Sequence, residues 1–249
     1  MTKDSSASAD RRLKILKRLD GDEWRTPVYY ELITGEFEQF PKPITVLEIG
    51  CGRGFDNNVR LQHKMAAEVD KFVGIEPDLS VDPQPIFSDV VRRNLEDSGI
   101  EESSIDIAYS IMVMEHVEEP DAFMKALSHV LKPGGVYWGI SVDSRHWFTA
   151  VANAMSRVRL KSLYLSLLHG SSRGQGRYLD YPTAYKLNTP ENIAAYSDLF
   201  KSIDVWNVGP VSSAGLYAPQ FFRFVVDALE KRRIARGQPR TDLVTRIVR

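Results

Sequence analysis

Short β-branched runs alternate with longer helical stretches from Ile44 onward, and this alternation constrains the fold more than any other feature of the chain. Five such runs follow one another at residues 44–49, 71–76, 89–94, 105–112 and 135–141. Strands that alternate with helices form βαβ units, which build parallel sheets. Residues 202–208 and 242–248 read as two further strands. The sequence therefore predicts an α/β fold with a doubly wound, mostly parallel, seven-stranded sheet.

Helices are predicted between and around these strands. They occupy residues 11–19, 55–69, 120–131, 146–168 and 219–235. A further helix is predicted to open with Thr189 as its N-cap and Pro190 as its first helical residue. Residues 169–177 are rich enough in glycine and serine to predict a mobile loop.

A glycine-rich turn follows the first predicted strand. The segment VLEIGCGRGF (46–55) places Gly50, Gly52 and Gly54 where a strand ends and a helix begins. So tight a turn needs residues without a Cβ, both for its backbone angles and for close approach of a ligand. A dinucleotide fingerprint has the spacing G-x-G-x-x-G, and Phe55 occupies the place of its third glycine. This departure argues against NAD or FAD and favours a nucleoside ligand without a pyrophosphate.

An acidic residue follows the turn at the spacing expected for ribose recognition. Glu76 ends the second strand 22 residues after Gly54, near the ~20 residues typical of such folds. A carboxylate accepts two hydrogen bonds and therefore suits a vicinal diol. The alternative is a solvated glutamate at a strand end. Cys51, inside the turn, is interpreted as a small packing residue and not as a nucleophile.

Four motifs in this order resemble the class I S-adenosylmethionine-dependent methyltransferases. The motifs are LEIGCGRG, VGIEPD, RRNLED, and SIMVMEHVEEPDAF followed by ALSHVLKPGGVYWGIS, and together they cover about residues 44–141. The resemblance implies a Rossmann-like methyltransferase fold with S-adenosylmethionine as the methyl donor. It assigns the donor site to Glu48, Gly50, Cys51, Gly52, Gly54, Glu76, Pro77, Asn94, Leu95, Ser110 and Glu115. Asn94 stands where the family more often has an aspartate, and an amide oxygen can also accept a bond from the adenine amino group.

No linker of distinct composition interrupts the chain, so one domain is expected over residues 1–249. Its predicted parts are an N-terminal helical cap at 11–40, a cofactor-binding core at 44–141 and helical insertions on the substrate side at 142–200 and 209–240.

Two histidines follow strand ends, where a base for an acceptor hydroxyl should lie. His146 is the preferred candidate, because Asp143 and Trp147 flank it with a mixed polar and aromatic surface. His116, in the EHV segment that lines the family's cofactor pocket, is the second candidate. Either ring can instead be a hydrogen-bonded structural histidine.

No metal-ligand spacing appears in the sequence, so no metal site is predicted. Asp143, Glu115 and Glu118 could hold a magnesium ion that orients a diol, although the sequence contains no direct sign of one.

The region after residue 141 is expected to select the acceptor. Trp147, Tyr178, Tyr181, Tyr185 and Asn188 form a mixture of aromatic and amide side chains that can stack on sugar rings and bond their hydroxyls. The tyrosines can equally pack the insertion onto the sheet. This segment more loosely resembles methyltransferases of bacterial polysaccharide and glycolipid pathways, including enzymes that methylate sugar hydroxyls.

Charge and cysteine content limit the compartment and the partners. Of 249 residues, 32 are Lys or Arg and 33 are Asp or Glu, so the net charge of −1 produces no field that would attract nucleic acid. One cysteine and an N-terminus without an apolar core favour the cytoplasm. Basic runs at 11–18 and 231–249 usually lie on solvated faces, and the alternative is contact with an anionic membrane or a lipid-linked acceptor. The sequence leaves the oligomeric state open.

The resulting hypothesis is an O-methyltransferase that acts on a hydroxyl of a saccharide or glycolipid precursor, by in-line transfer with a histidine base. The alternatives are a methyltransferase of small phenolic or amine natural products and a non-catalytic donor-binding subunit. An oxidoreductase is disfavoured by Phe55.

Overall fold

The computed structural model describes residues 6–151 and 181–249. Its helices are α1 (Ser6–Asp20), α2 (Arg25–Thr34), α3 (Val59–Glu68), α4 (Pro120–Val130), α5 (Pro190–Ala194) and α6 (Arg223–Ala235). Its strands are β1 (Thr45–Ile49), β2 (Lys71–Ile75), β3 (Asp89–Val91), β4 (Ile105–Ile111), β5 (Leu131–Val142), β6 (Ser202–Val208) and β7 (Asp242–Val248).

The seven strands form one sheet in the order β3-β2-β1-β4-β5-β7-β6. Strands β1 to β5 are parallel, and β7 pairs antiparallel with both β5 and β6. The predicted seven-stranded, mostly parallel α/β fold is confirmed. The order reverses direction at β1, whose neighbours are β2 and β4, and open α/β sheets bind ligands outside the carboxyl ends of the strands at such a point.

Neighbouring residues of each central strand face opposite sides of the sheet, as the strand period of two requires. Val46 and Tyr109 pack with α1 and α2 in one buried cluster. Leu47 and Ala108 pack with α4 in the other. Because both faces are covered, these strands appear in the sequence as nearly continuous apolar runs.

Helix boundaries differ from the sequence prediction where a polar turn competes with the helix. Helix α3 starts at Val59 and not at residue 55, because Asp56 and Asn57 adopt left-handed backbone angles and Asn58 caps the helix by accepting a bond from the Leu61 N–H. Thr189 caps α5 as predicted. Of the helix predicted at 146–168, the described residues 147–151 are helical and the rest lies outside the described residues, as does the loop predicted at 169–177.

The basic C-terminal run is not a solvated face along its whole length, which corrects one expectation. All seven residues of β7 are buried, and Arg246 within it donates to Glu36 at 2.8 Å. Arg240 pairs with Asp20 at 3.3 Å. Strand β7 is inserted between β5 and β6, so its arginine is part of the interior. The exposed basic residues of this region are Lys231 and Arg232 on α6 and Arg236 directly after it.

Candidate functional site

A cleft of about 650 Å³ opens at the carboxyl ends of β1, β2 and β4. This volume lies within the ~300–1,000 Å³ range of small-molecule sites. The glycine turn forms its floor, with Gly50 and Gly54 at φ values of +83° and +84°. A Cβ on Gly50 would lie 2.6 Å from Cγ2 of Val113, so a larger residue would collide with the segment that follows β4. The turn therefore needs glycine for its backbone angles, as predicted, and Gly50 also for its fit against Val113, whereas close approach of a ligand stays a prediction.

Glu76 lies at the end of β2 and lines the cleft, although its side chain is mostly buried. Its Oε2 accepts a bond from the Gly52 N–H at 3.0 Å, and its Oε1 accepts one from the Asp78 N–H at 3.0 Å. These two bonds fix the carboxylate, and each oxygen keeps a further lone pair for a ligand hydroxyl. A Cβ on Gly52 would lie 2.4 Å from Oε2 of Glu76, so Gly52 supports this acid from behind.

Glu48 lines the same cleft from within β1 and is 3% exposed. The Gln62 amide donates to its Oε2 at 2.8 Å, and no described lysine or arginine forms an ion pair with it. Burial raises the pKa of Glu48 to about 8. A buried carboxyl group without a cation partner, open to a cleft, is suited to receive a ligand cation.

The opposite wall contains the residues predicted to contact the nucleoside. Pro77, Asn94 and Leu95 line the cleft. The Asn94 side chain is exposed and Leu95 is buried, so an amide lies beside an apolar surface. This pairing suits a flat heteroaromatic ring that has a polar edge.

His116 lines the cleft as the last residue of the short helical turn Met114–His116 that follows β4. Its Nδ1 lies 2.7 Å from the carbonyl oxygen of Pro182. A carbonyl only accepts hydrogen bonds, so Nδ1 carries the proton, and in the neutral ring Nε2 holds the free lone pair. No described residue bonds Nε2. His116 thus has the tautomer and the freedom that a general base requires.

Residues 181–186 form a strap across the mouth of the cleft. The Tyr181 hydroxyl donates to Asp78, and its ring meets the His116 ring edge-on with centroids 5.8 Å apart. The Ala184 N–H donates to the Glu115 carbonyl at 2.8 Å. The strap joins the loops after β2 and β4 and covers one side of the site.

His146 does not line the cleft, and this corrects the preferred assignment of the base. It is 1% exposed, and both ring nitrogens have protein partners. Nε2 lies 3.0 Å from Oε2 of Glu230, and Nδ1 accepts the Phe148 N–H at 3.2 Å. Helix α6 packs onto the turn after β5 and encloses the ring, so neither nitrogen is available to a substrate.

Asp143 is likewise structural in this conformation. Its buried carboxylate accepts bonds from the Arg145 guanidinium at 2.8 Å and from the Asn207 amide at 2.9 Å. These contacts fix the turn after β5 against β6, and Asp143 is not among the residues that line the cleft.

Four residues assigned to the donor site lie behind the wall of the cleft: Cys51, Gly52, Ser110 and Glu115. Burial raises the pKa of the Cys51 thiol, which agrees with a packing role. Ser110 bonds the Tyr137 hydroxyl at 2.6 Å, and Ser141 donates to Glu115 at 2.8 Å. Burial also raises the pKa of Glu115. These side chains support the residues that line the cleft.

Of the residues predicted to contact the acceptor, Tyr181 lines the cleft. Asn188 is buried, and its side-chain amide donates to the Val142 carbonyl at 2.8 Å. Tyr185 has a left-handed backbone conformation, with a φ of +53°. Trp147 donates its indole N–H to Glu230 on α6. Tyr178 lies outside the described residues.

Sequence reasoning missed several residues of the cleft. Arg53, Asp56, Asn57 and Asp78 line it. The Asp56-Asn57 pair was a recognisable turn signal directly after the glycine run. The carbonyl of Pro182 carried no signal, because a backbone group that orients a distant ring leaves no pattern in the side chains.

The structure does not bring the suggested magnesium ligands together. Across residues 6–151 and 181–249, no three His, Cys, Asp or Glu side chains converge as a metal site. Within the same ranges, no helix has the length and apolar character needed to cross a membrane.

Comparisons with known proteins agree with this geometry. The family model described as "Methyltransferase domain" matches residues 22–186. The ubiquinone biosynthesis O-methyltransferase of Serratia proteamaculans is 28% identical over an alignment of 127 residues, and the match covers 44% of this chain and 48% of that protein. The matched part thus spans about half the length of that relative.

Solved structures share the fold over nearly the whole chain. A chain of the complex between the Haloferax volcanii Trm112 methyltransferase activator and a methyltransferase has a TM-score of 0.57 at 13% identity, and the match covers 97% of this chain and 95% of that one. Phosphoethanolamine N-methyltransferase 2 of Haemonchus contortus, in complex with S-adenosyl-L-methionine, has a TM-score of 0.56 at 15% identity, with 95% of this chain and 56% of that one covered. At these identities the likeness concerns the fold.

Proposed function

Because this chain belongs to the class I S-adenosylmethionine-dependent methyltransferases, we propose that it methylates an acceptor hydroxyl and that His116 removes the hydroxyl proton. The observation that carries this proposal is the hydrogen bond from Nδ1 of His116 to the Pro182 carbonyl, 2.7 Å long, which leaves Nε2 as a proton acceptor beside the cleft.

The residues of the cleft fit S-adenosylmethionine part by part. Glu48 would receive the ammonium group of the methionine moiety, and the turn at Gly50 and Gly54 leaves room against the main chain. Glu76 would accept bonds from both ribose hydroxyls. Asn94 and Leu95 would hold the edge and the face of the adenine ring. When bound, S-adenosylmethionine supplies an activated methyl group for in-line displacement.

The protein's own contribution is alignment and proton removal. Nε2 of His116 takes the proton of the acceptor hydroxyl, and the Pro182 carbonyl bonds the opposite nitrogen, which stabilises the charged ring that results. The strap at 181–186 limits access of water on this side, through the Tyr181 hydroxyl on Asp78 and the Lys186 ammonium on the Glu118 carbonyl.

The proposed acceptor is a hydroxyl of a saccharide or glycolipid precursor. Tyr181 supports this choice, because it lines the cleft with 38% of its surface exposed and so offers a ring face on which a sugar can stack. A phenolic hydroxyl is the second candidate, and it is favoured by the similarity to an O-methyltransferase of ubiquinone biosynthesis.

The test is transfer of labelled methyl from the donor to fractionated glycans, glycolipids and phenolic metabolites. We expect His116→Gln to lower kcat about 100-fold or more, the usual contribution of a general base, while donor affinity stays within about twofold. His63→Gln, on the exposed surface of α3, is the matched control and should leave kcat unchanged. Unchanged turnover in His116→Gln would remove the assignment of the base.

The pH dependence of kcat in His116→Gln distinguishes a phenolic acceptor from a sugar acceptor. A phenol ionises near pH ~10, so a phenolic acceptor should recover much of the lost rate in His116→Gln at high pH. A sugar hydroxyl is a much weaker acid and should not recover. Donor binding without label transfer to any acceptor fraction would favour a non-catalytic subunit.

A further inference from the structure

Helix α6 and the turn before it carry an unusual amount of exposed apolar surface. The side chains of Phe221, Phe222, Phe224 and Leu229 are 70%, 52%, 71% and 51% exposed, and Val225 is 38% exposed. These five residues form what we call the aromatic face. Large contiguous apolar patches are rare on soluble proteins unless they meet a partner or a membrane.

The aromatic face is exposed even though α6 itself is firmly attached. Glu230, on the opposite side of the helix, is buried and bonds His146, Trp147 and Arg233. Burial acts to raise the pKa of Glu230, but these hydrogen bonds lower it to about 2, so the carboxylate stays charged. The helix is therefore oriented with its polar anchor inward and its phenylalanines outward.

Positive charge surrounds the aromatic face. Arg223, Lys231, Arg232 and Arg236 are exposed, and none forms an ion pair with another described residue. The two acids of the helix face inward, Glu230 in the cluster above and Asp227 against the backbone of Gly215. The outward surface of α6 thus combines aromatic rings with cations that form no ion pair within residues 6–151 and 181–249.

Helix α6 is held at the same edge of the sheet as the cleft. His146 and Trp147, which hold Glu230, follow the carboxyl end of β5, and the cleft opens at the carboxyl ends of the parallel strands β1, β2 and β4. The polar anchor of α6 is therefore held at the edge of the sheet where the cleft opens.

We propose that the aromatic face of α6 docks on an anionic lipid bilayer, with its phenylalanines in the interface and its cations on the lipid headgroups. An amphipathic helix with bulky apolar residues and Lys or Arg lies in the plane of such an interface. The contact is peripheral, because within residues 6–151 and 181–249 no helix can cross a membrane. This inference does not depend on the acceptor or on the base proposed above.

Charge favours an anionic bilayer, and not another part of the same chain, as the surface that covers the aromatic face. Residues 152–180 contain five Lys or Arg and one Asp, so their charge has the same sign as that of the aromatic face. A second copy would likewise bring four cations against four cations. Both of these occupants would repel the cations around the aromatic face, whereas an anionic lipid surface attracts them.

The experiment is sedimentation of the full chain with vesicles of phosphatidylcholine alone and of equal parts phosphatidylcholine and phosphatidylglycerol. We expect binding to the anionic vesicles only, and weakening at high salt, since the screening length falls from about 10 Å at 0.1 M to about 3 Å at 1 M. The triple change Phe221→Ser, Phe222→Ser and Phe224→Ser should lower the partition coefficient at least about tenfold.

Charge reversal tests the second half of the proposal. Lys231→Glu with Arg232→Glu should weaken binding, whereas Lys125→Glu with Lys201→Glu, exposed lysines on other elements, is the matched control and should bind like the parent. Methyl transfer to a soluble acceptor should be unchanged in all these variants, so failure of docking is distinguishable from failure of the proposed chemistry.

Three outcomes would overturn the proposal. The first is no sedimentation of the parent protein with anionic vesicles at low salt. The second is a dimer in analytical ultracentrifugation that the triple serine variant dissociates, since the aromatic face would then bind a second copy. The third is a large drop in Tm of the triple variant, since its phenylalanines would then be covered by the chain itself.

Discussion

Glu48 combines two opposed requirements in a single residue. Its carboxyl group must be charged to bind the ammonium group proposed above, yet burial at 3% exposure raises its pKa to about 8. A carboxyl whose pKa is higher in the folded than in the unfolded chain takes up a proton on folding. Because the unfolded chain loses this proton at a lower pH than the folded chain, the stability of the donor-free protein falls as the pH rises from about 4.5 towards 8. Such conflicts are expected where a binding site is built at the expense of stability.

The first prediction concerns the pH dependence of donor binding. Below pH 8, binding of the ammonium group must expel the Glu48 proton, so donor affinity should rise up to about tenfold per pH unit and level off near pH 8. Glu48→Gln should weaken binding, remove this pH slope and raise Tm at pH 7. Isothermal titration and thermal unfolding measure these effects.

The matched control for Glu48→Gln is Glu101→Gln, at an exposed position after β3. That variant should keep the affinity, the slope and the Tm of the parent. An unchanged pH slope in Glu48→Gln would show that another group takes part in the proton release.

At the scale of elements, a buried ion pair joins the N-terminal cap to the sheet. Glu36 follows α2 and accepts a bond from Arg246 of β7 at 2.8 Å, with Arg12 of α1 at 3.9 Å. Glu36, Arg246 and Arg12 are 1%, 3% and 6% exposed. The two charges of such a pair lose hydration on folding, so the pair is tolerable only while both members are present.

Glu36→Gln should therefore destabilise the protein strongly, because it removes the carboxylate that Arg246 and Arg12 contact in the interior. Loss of one partner of a buried pair costs about 3–5 kcal/mol, which for a chain of this size lowers Tm by roughly 10 °C. Differential scanning calorimetry measures the shift. Glu38→Gln is the control, since Glu38 pairs with Arg11 at 3.6 Å on the surface, where the two side chains are 80% and 54% exposed. Equal shifts in the two variants would contradict the role given to the buried pair.

At the scale of the whole molecule, the cleft proposed as the donor site joins parts that are distant in sequence. Strand β1, the loops after β2 and β4, and the strap at 181–186 all line the cleft. The start of α2 is tied to it as well, because Arg25 pairs with Asp56 at 3.2 Å. A ligand that contacts all these parts binds the folded chain but not the unfolded chain. Its binding must therefore raise the free energy of unfolding.

We therefore expect S-adenosylmethionine, or the product S-adenosylhomocysteine, to raise Tm of the full chain. At a concentration about 100 times Kd, binding contributes about 2.7 kcal/mol, which corresponds to roughly 5–10 °C for a domain of this size. NADH is the control ligand and should produce no shift, because Phe55 replaces the third glycine of a dinucleotide turn. A shift with NADH alone would contradict the assignment of the cleft.

The sequence by itself determined the strands, the glycine turn and most of the donor-binding wall. These features are local, because strand and helix periods repeat within a few residues. The cleft residues Gly50, Gly54, Glu76, Pro77, Asn94 and Leu95 each lie within five residues after a strand end. Any chain with this order of elements brings those positions to one edge of a parallel sheet. The boundaries were less certain, as at α3, where the Asp56-Asn57 turn delayed the helix.

Only the tertiary structure shows which of the two histidines lines the cleft. In the sequence both follow a strand, and His146 has the more suitable neighbours. Glu230, 84 residues further along the chain, encloses His146, whereas Pro182, 66 residues after His116, orients that ring and leaves Nε2 free. The same holds for Arg246, whose partner Glu36 lies 210 residues away. Periodicity encodes which face of an element is buried, but the partner that meets a given side chain depends on packing between distant segments.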